Sequence, residues 1–251
     1  MAENLTIDIN SLKEKGFITT VVDPNKLTKD NLSTYVTQVG VASKLLEMLS
    51  KDEDIPVVDD NDPVKDLKDA IANGSAYTVT NEISLPETLV INKPFTLTNN
   101  GSIVNSVAGT PAILVEAGGE LTIDGTGSIN GGQGGDNSAL RVNKGGKCTI
   151  ENGSFTVGGD AKGLGNSCIY VVGGELTING GDFESQKPYK GIYYVVNVKN
   201  GVESNVLFSG GTFHNYNPTE HETETDKIIA IAEGYEVKDN GDNTYSVVKS
   251  A

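Results

Sequence analysis

The 251-residue chain has no tryptophan, two cysteines, two histidines and one arginine, Arg141. Each scarcity removes a class of function. A nucleic-acid binder needs a basic face, usually with several arginines. Here 34 acidic residues outweigh 19 basic ones, for a net charge of −15. That charge is repelled by phosphate polymers and by anionic membrane alike. No run approaches the ~18 apolar residues of a spanning helix. Neither nucleic acid nor membrane insertion is therefore expected. Two cysteines do not make a disulfide framework, and Cys148 and Cys168 both sit in apolar strand patterns that predict buried, reduced thiols. With only His214 and His221 beside them, zinc has too few ligands, and no cofactor or metal is expected. The opening MAENLTIDIN has neither the basic n-region nor the apolar h-region of a signal peptide, which predicts synthesis in a cytoplasm.

What is abundant is glycine, 30 residues, and much of it recurs in register. GGELTI at Gly118 to Ile123 returns at Gly173 to Ile178, with GGKCTI between them at Gly145. Phe95, Leu121, Cys148, Leu176 and Val206 fall in one register, at spacings of 26, 27, 28 and 30 residues. A second strand follows at Gly101-Ser102-Ile103, Gly127-Ser128-Ile129, Gly153-Ser154-Phe155, Gly181-Asp182-Phe183 and Gly211-Thr212-Phe213. A third, apolar strand reads AILV from Ala112, ALRV from Ala139, CIYV from Cys168, YYVV from Tyr193 and IIAI from Ile228. Three short strands per ~27 residues predict a mainly β fold, a parallel β-solenoid of about six coils and roughly 30 Å. Strand alternation predicts three inward ladders: Leu121, Cys148, Leu176, Val206; Ile123, Ile150, Ile178, Phe208; and Ile129, Phe155, Phe183, Phe213. Thr122, Thr149 and Thr177 point outward.

A solenoid leaves strand edges at both ends and needs caps. Asp62 as N-cap and Pro63 at the first helical position open a predicted capping helix over 63–74. Its face is Val64, Leu67, Ala70 and Ile71, and Gly74 ends it. At the far end, strands flanking Asn240-Gly241 predict a closing hairpin over 234–249. The chain before the solenoid is different. Residues 1–50 read as a small α/β module. Its amphipathic helix carries the stripe Leu32, Val36, Val39, Ala42, Leu46 and Leu49, a face for self-association or docking or for packing within the module. The acidic run over 51–62 reads as a linker to the domain at 63–251.

The glycine loops do not read as ligand loops. GTGSING at Gly125 lacks the third glycine of a dinucleotide fingerprint. GGQGGDNSA, Gly131 to Ala139, resembles a single calcium-binding nonapeptide with Asp136 in the acidic place, but such sites need tandem copies. Asp124 and Glu151 take the same corner position on adjacent coils, ~5 Å apart at their α-carbons, a spacing that a retaining glycosidase pair would also have. Corners favour Asp, Asn and Ser for backbone hydrogen bonding, and the sole arginine lies on another strand, so no catalytic residue is assigned. Two excursions break the repeat: SQKPYKGIYY, with Tyr189, Tyr193 and Tyr194, and the run from His214 to Lys227. Clustered tyrosines suit sugar rings or a protein interface, which makes these three the candidate glycan contacts. His214 and His221 are expected to be solvated.

The stretch VKDLKDAIANGSAYTVTNEISLPETLVINKPFTLTNNGSI resembles the helix-plus-first-coil entrance of right-handed parallel β-helix proteins, and AEGYEVKDNGDNTYSVV is similar to their closing segment. That resemblance covers roughly residues 63–251 and implies a fold, not an activity. The N-terminal NLTIDINSLKEKGF and LTKDNLSTYVTQVGVASKLLEMLS are similar to the anchoring region of head fibre proteins of tailed bacteriophages. The resemblance implies a non-enzymatic virion protein, a head fibre or capsid decoration protein on the capsid surface. It would be a homo-oligomer, dimer or trimer, docked on a capsid protein or another fibre protein and projecting its β-helix outward, with host-surface or mucus glycan attachment as a further role. The alternatives are a polysaccharide-binding adhesin and a β-helix polysaccharide lyase or glycosidase.

Overall fold

In the computed structural model, which describes residues 62–159, 166–220 and 229–251, the two glycines of each pair serve different needs. Gly118, Gly145 and Gly173 have φ of 85°, 80° and 84°, the left-handed region that side chains avoid. The second glycine is there for space: a Cβ on Gly119 would lie 2.3 Å from the Ile91 carbonyl oxygen of the coil below, and one on Gly174 would lie 2.5 Å from Val142. The first glycine turns the chain and the second lets adjacent coils touch.

These pairs open the third, fourth and fifth of a series of three-strand coils. The first is β1 (Tyr77–Val79), β2 (Glu82–Leu85) and β3 (Leu89–Ile91); the second is β4 (Pro94–Asn99), β5 (Ser102–Asn105) and β6 (Pro111–Val115). The third is β7 (Glu120–Asp124), β8 (Ser128–Asn130) and β9 (Ser138–Asn143), and the fourth is β10 (Lys147–Ile150), β11 (Ser154–Val157) and β12 (Ile169–Val172). The fifth is β13 (Glu175–Ile178), β14 (Asp182–Ser185) and β15 (Val196–Val198). A sixth begins with β16 (Asn205–Phe208) and β17 (Thr212–His214). Corresponding strands pair in parallel into three sheets, so the molecule is a parallel β-solenoid, as the period predicts. Sheet A starts with β1 and β4, sheet B with β2 and β5, and sheet C with β3 and β6.

The inward ladders form as expected. Leu121 pairs with Cys148, Cys148 with Leu176 and Leu176 with Val206; Ile123, Ile150, Ile178 and Phe208 follow the same rungs, all fully or almost fully buried. Ile129, Phe155, Phe183 and Phe213 stack in sheet B. Each such side chain contributes about 1.5–3 kcal/mol by leaving water. Thr122, Thr149 and Thr177, on the outward face of sheet A, are half-buried by their neighbours. Beside them Glu120, Lys147 and Glu175 alternate in sign, and the Lys147 ammonium lies 3.4 Å from the Glu175 carboxylate.

The entrance cap is α1 (Pro63–Asn73). Asp62 Oδ1 accepts the Val64 and Lys65 amides at 3.0 and 3.1 Å, and Gly74 ends the helix in the left-handed conformation. Leu67 and Ile71 are buried, with Val64 and Ala70 packed partly against the core. The exit cap is the hairpin of β19 (Tyr235–Asp239) and β20 (Thr244–Lys249), whose β20 runs antiparallel to β17 and so covers the edge of sheet B. Its turn is not a two-residue Asn-Gly turn. Gly241 and Asn243 take the positive φ angles, and the Asn240 amide donates to the Thr244 carbonyl at 3.0 Å.

Two third-strand assignments are corrected. The fifth strand of sheet C is Val196–Val198, three residues beyond the start of YYVV, because Val196 pairs with Ile169. The strand from IIAI is β18 (Ile229–Ile231), and it pairs with β16 in sheet A, not in sheet C. Uniformly apolar runs have no period to say which sheet they join. The 1–50 module, its stripe Leu32, Val36, Val39, Ala42, Leu46 and Leu49, the 51–61 part of the linker and His221 lie outside the described residues.

Candidate functional site

Sheet C carries its outward residues in one row: Val90, Leu114, Arg141, Tyr170 and Asn197, one per coil. The row changes from apolar to polar at Arg141. Strand register places Arg141 of β9 beside Tyr170 of β12, with the guanidinium carbon 5.5 Å from the ring centroid, a cation–π contact. The Arg141 Nε–H donates to Asn143 Oδ1 at 3.0 Å, and the Asn143 amide donates to Glu116 Oε1 at 3.0 Å. This chain holds the guanidinium from its Nε side. Neither Nη has a protein hydrogen-bond partner among the described residues.

A groove of about 390 Å³ runs beside the pair, lined also by Asp136, Ser138, Ser167 and Asn197. That is within the range of small-ligand sites. Its wall is braced by buried asparagines. The Asn137 amide donates to the Val107 and Gly131 carbonyls at 3.1 and 2.6 Å, and its Oδ1 accepts the Gly109 amide at 2.7 Å. The Asn137 backbone N–H donates to Asn166 Oδ1 at 3.1 Å. Asn197 donates to the Ser167 hydroxyl at 3.0 Å. Buried amides with all these partners make a rigid wall. Asp136, at φ 61°, is exposed at the rim. Among the described residues no three acidic, histidine or cysteine side chains gather into a metal site.

The tyrosines form a separate feature. Tyr189 and Ile192 exchange backbone hydrogen bonds of 2.9 and 3.0 Å around Lys190 and Gly191, both at positive φ, the signature of a type I′ turn. This brings Tyr189 and Tyr194 to 6.4 Å between ring centroids, with the Lys190 ammonium 5.2 Å from the Tyr189 ring. Tyr193 packs partly against the core. Tyr189 and Tyr194 are thus brought together, and Tyr193 is turned to a packing role.

The corner carboxylates are engaged locally. Asp124 Oδ1 accepts the Gly125 amide at 2.7 Å. Both oxygens of Glu151 accept from the Asn179 amide, at 3.0 and 3.1 Å, and the Ser209 hydroxyl donates to Asn179 Oδ1 at 2.6 Å. The third corner residue thus answers the second and the fourth answers the third. His214 is corrected from a solvated residue to a paired one: its Nε2 lies 3.0 Å from both oxygens of Asp182. Asp182 pairs in register with Thr212, two residues before His214 on the same face of the strand. The thiols are buried as expected. Cys168 Sγ donates to the Phe155 carbonyl at 3.2 Å, and burial pushes both thiols far up from their ordinary value.

Sequence reasoning did not single out the Arg141–Tyr170 pair. The signal was present, because ALRV and CIYV align so that Arg141 and Tyr170 hold the same outward position in successive coils. Comparison with protein-family models, curated proteins and solved structures gave no match.

Proposed function

We propose that the chain is a non-enzymatic attachment or decoration protein of a virus particle, built in the manner of a phage head fibre. Residues 1–50 fix it to the capsid and to copies of itself, and the solenoid is the part displayed on the particle. The observation that carries this reading is the unbroken register of five complete coils between a helical cap and a hairpin cap. Such a stack is a stiff spacer of about 24 Å at one ~4.8 Å step per coil. The high negative charge supports the same reading, since it keeps crowded, parallel projections apart in solution. The corner carboxylates fit it too: Glu151 is bonded to Asn179 rather than aimed at the groove.

The test uses the full-length protein. Light scattering should give a dimer or trimer, and the protein should co-sediment with capsids of the virus that encodes it. Val36→Asp with Leu46→Asp should yield a monomer that stays in the supernatant, with the solenoid's circular dichroism unchanged. A wild-type monomer at micromolar concentration with no capsid affinity would sink the proposal.

A further inference from the structure

We infer that the groove on sheet C binds an acidic saccharide residue, whose carboxylate is taken by the Arg141 guanidinium. The chain has one arginine, and it is placed half-buried in a groove rather than on an open face. Its Nε is occupied by Asn143, itself fixed by Glu116, while both Nη remain without a protein partner among the described residues. A planar fork so held is prepared for a carboxylate, which it can meet with two parallel hydrogen bonds. Tyr170 supports the guanidinium from its ring face and lines the groove beside it.

The rest of the lining suits a polyhydroxylated ring. Asn197, Ser167 and Ser138 bring an amide and two hydroxyls, groups that both donate and accept. Asp136 at the rim can only accept when ionised, so it favours sugar hydroxyls and repels a second anionic group. One cation in a strongly acidic molecule therefore selects a single carboxylate on a neutral polyol frame. Sulfated or otherwise polyanionic chains are disfavoured. This inference does not depend on the anchor, so its failure leaves the capsid and oligomer tests untouched.

The experiment titrates full-length protein with glucuronic acid, glucose and acetate, followed by NMR shifts and calorimetry. Glucose has the ring without the carboxylate, and acetate has the carboxylate without the ring. Glucuronic acid should bind at least about tenfold more tightly than either, the effect of one charge-assisted hydrogen-bonded pair. Arg141→Ala should abolish saturable binding. Arg141→Lys, which keeps the charge and removes the fork, should weaken it at least about tenfold with the thermal midpoint unchanged. Lys238→Ala, which removes an exposed cation from the exit hairpin, should leave binding as it was. Equal affinity for acetate, equal affinity for glucose, or an unchanged Arg141→Lys protein would overturn the assignment.

Discussion

Phe183 lies between Phe155 and Phe213, its ring centroid 5.1 Å from each and its plane within 16° and 15° of theirs. Phe208 adds a fourth ring, 5.0 Å from Phe213. Parallel register forces this column, because the same inward position recurs at every coil. Removing the central ring opens a cavity and leaves two faces without partners. Phe183→Ala is expected to cost about 3–5 kcal/mol and Phe183→Leu distinctly less. Urea unfolding followed by circular dichroism measures both. Equal, sub-kcal/mol costs would mean that the column does not hold the later coils together.

The glycine pair makes a sharper prediction, since its members differ in kind. Gly118→Ala places a side chain at φ 85° and should cost about 1–2 kcal/mol in backbone strain. Gly119 has ordinary φ, but its Cβ would lie 2.3 Å from the Ile91 carbonyl oxygen and 3.0 Å from a Val115 methyl. Backbone cannot rotate away as a side chain can, so Gly119→Ala should cost more, about 3 kcal/mol. Chemical denaturation of the two variants should rank them in that order. The reverse order would show that turn conformation, not coil contact, limits the corner.

These two effects also mark what could be read before the fold was known. The ladders of sheets A and B were legible because an alternating triplet and a glycine corner recur together, as in Leu121-Thr122-Ile123 after Gly118-Gly119. Sheet C was less legible, because its strands are apolar throughout. YYVV offers no alternation to say that pairing begins at Val196, and IIAI offers none to say that Ile229 returns to sheet A. Those choices follow from backbone register after the excursions. The His214–Asp182 contact joins residues 32 apart, and single-sequence reading has no term for such a pair. The bracing by Asn137 and Asn166 was hidden for another reason: asparagine in a glycine-rich loop reads as a turn residue whether or not its amide is buried.

The two buried thiols should make the fold less stable in alkali. Burial pushes Cys148 and Cys168 well above the ordinary thiol value, so the folded state keeps both protonated. In the unfolded chain each loses its proton near pH ~8.5. Above that pH the unfolded state binds fewer protons, and stability falls as pH rises. Denaturation midpoints should therefore decline from about pH 8.5 upward, and Cys148→Ala with Cys168→Ala should flatten that slope even though it lowers stability at pH 7. The native protein should also resist a thiol reagent at pH 8 and react at both cysteines once unfolded. Fast labelling of either thiol in the native state would contradict the buried ladder.

The exit hairpin should respond at the acid end. The Thr244 hydroxyl donates to Asp242 Oδ1 at 2.5 Å and the Thr244 amide donates at 3.1 Å, and these bonds hold the Asp242 carboxyl below its usual value. A depressed carboxylate stabilises the fold above its unfolded value and loses that contribution as pH falls through the folded one. The turn between β19 and β20 should therefore loosen below about pH 4, before the coils do. Amide exchange of Thr244, measured against that of Ile150 in the core, reads this directly. Asp242→Ala should give Thr244 its acid-form exchange rate already at neutral pH and leave Ile150 protected. Acid loosening that begins at Ile150 instead would place the weak point inside the solenoid rather than at its cap.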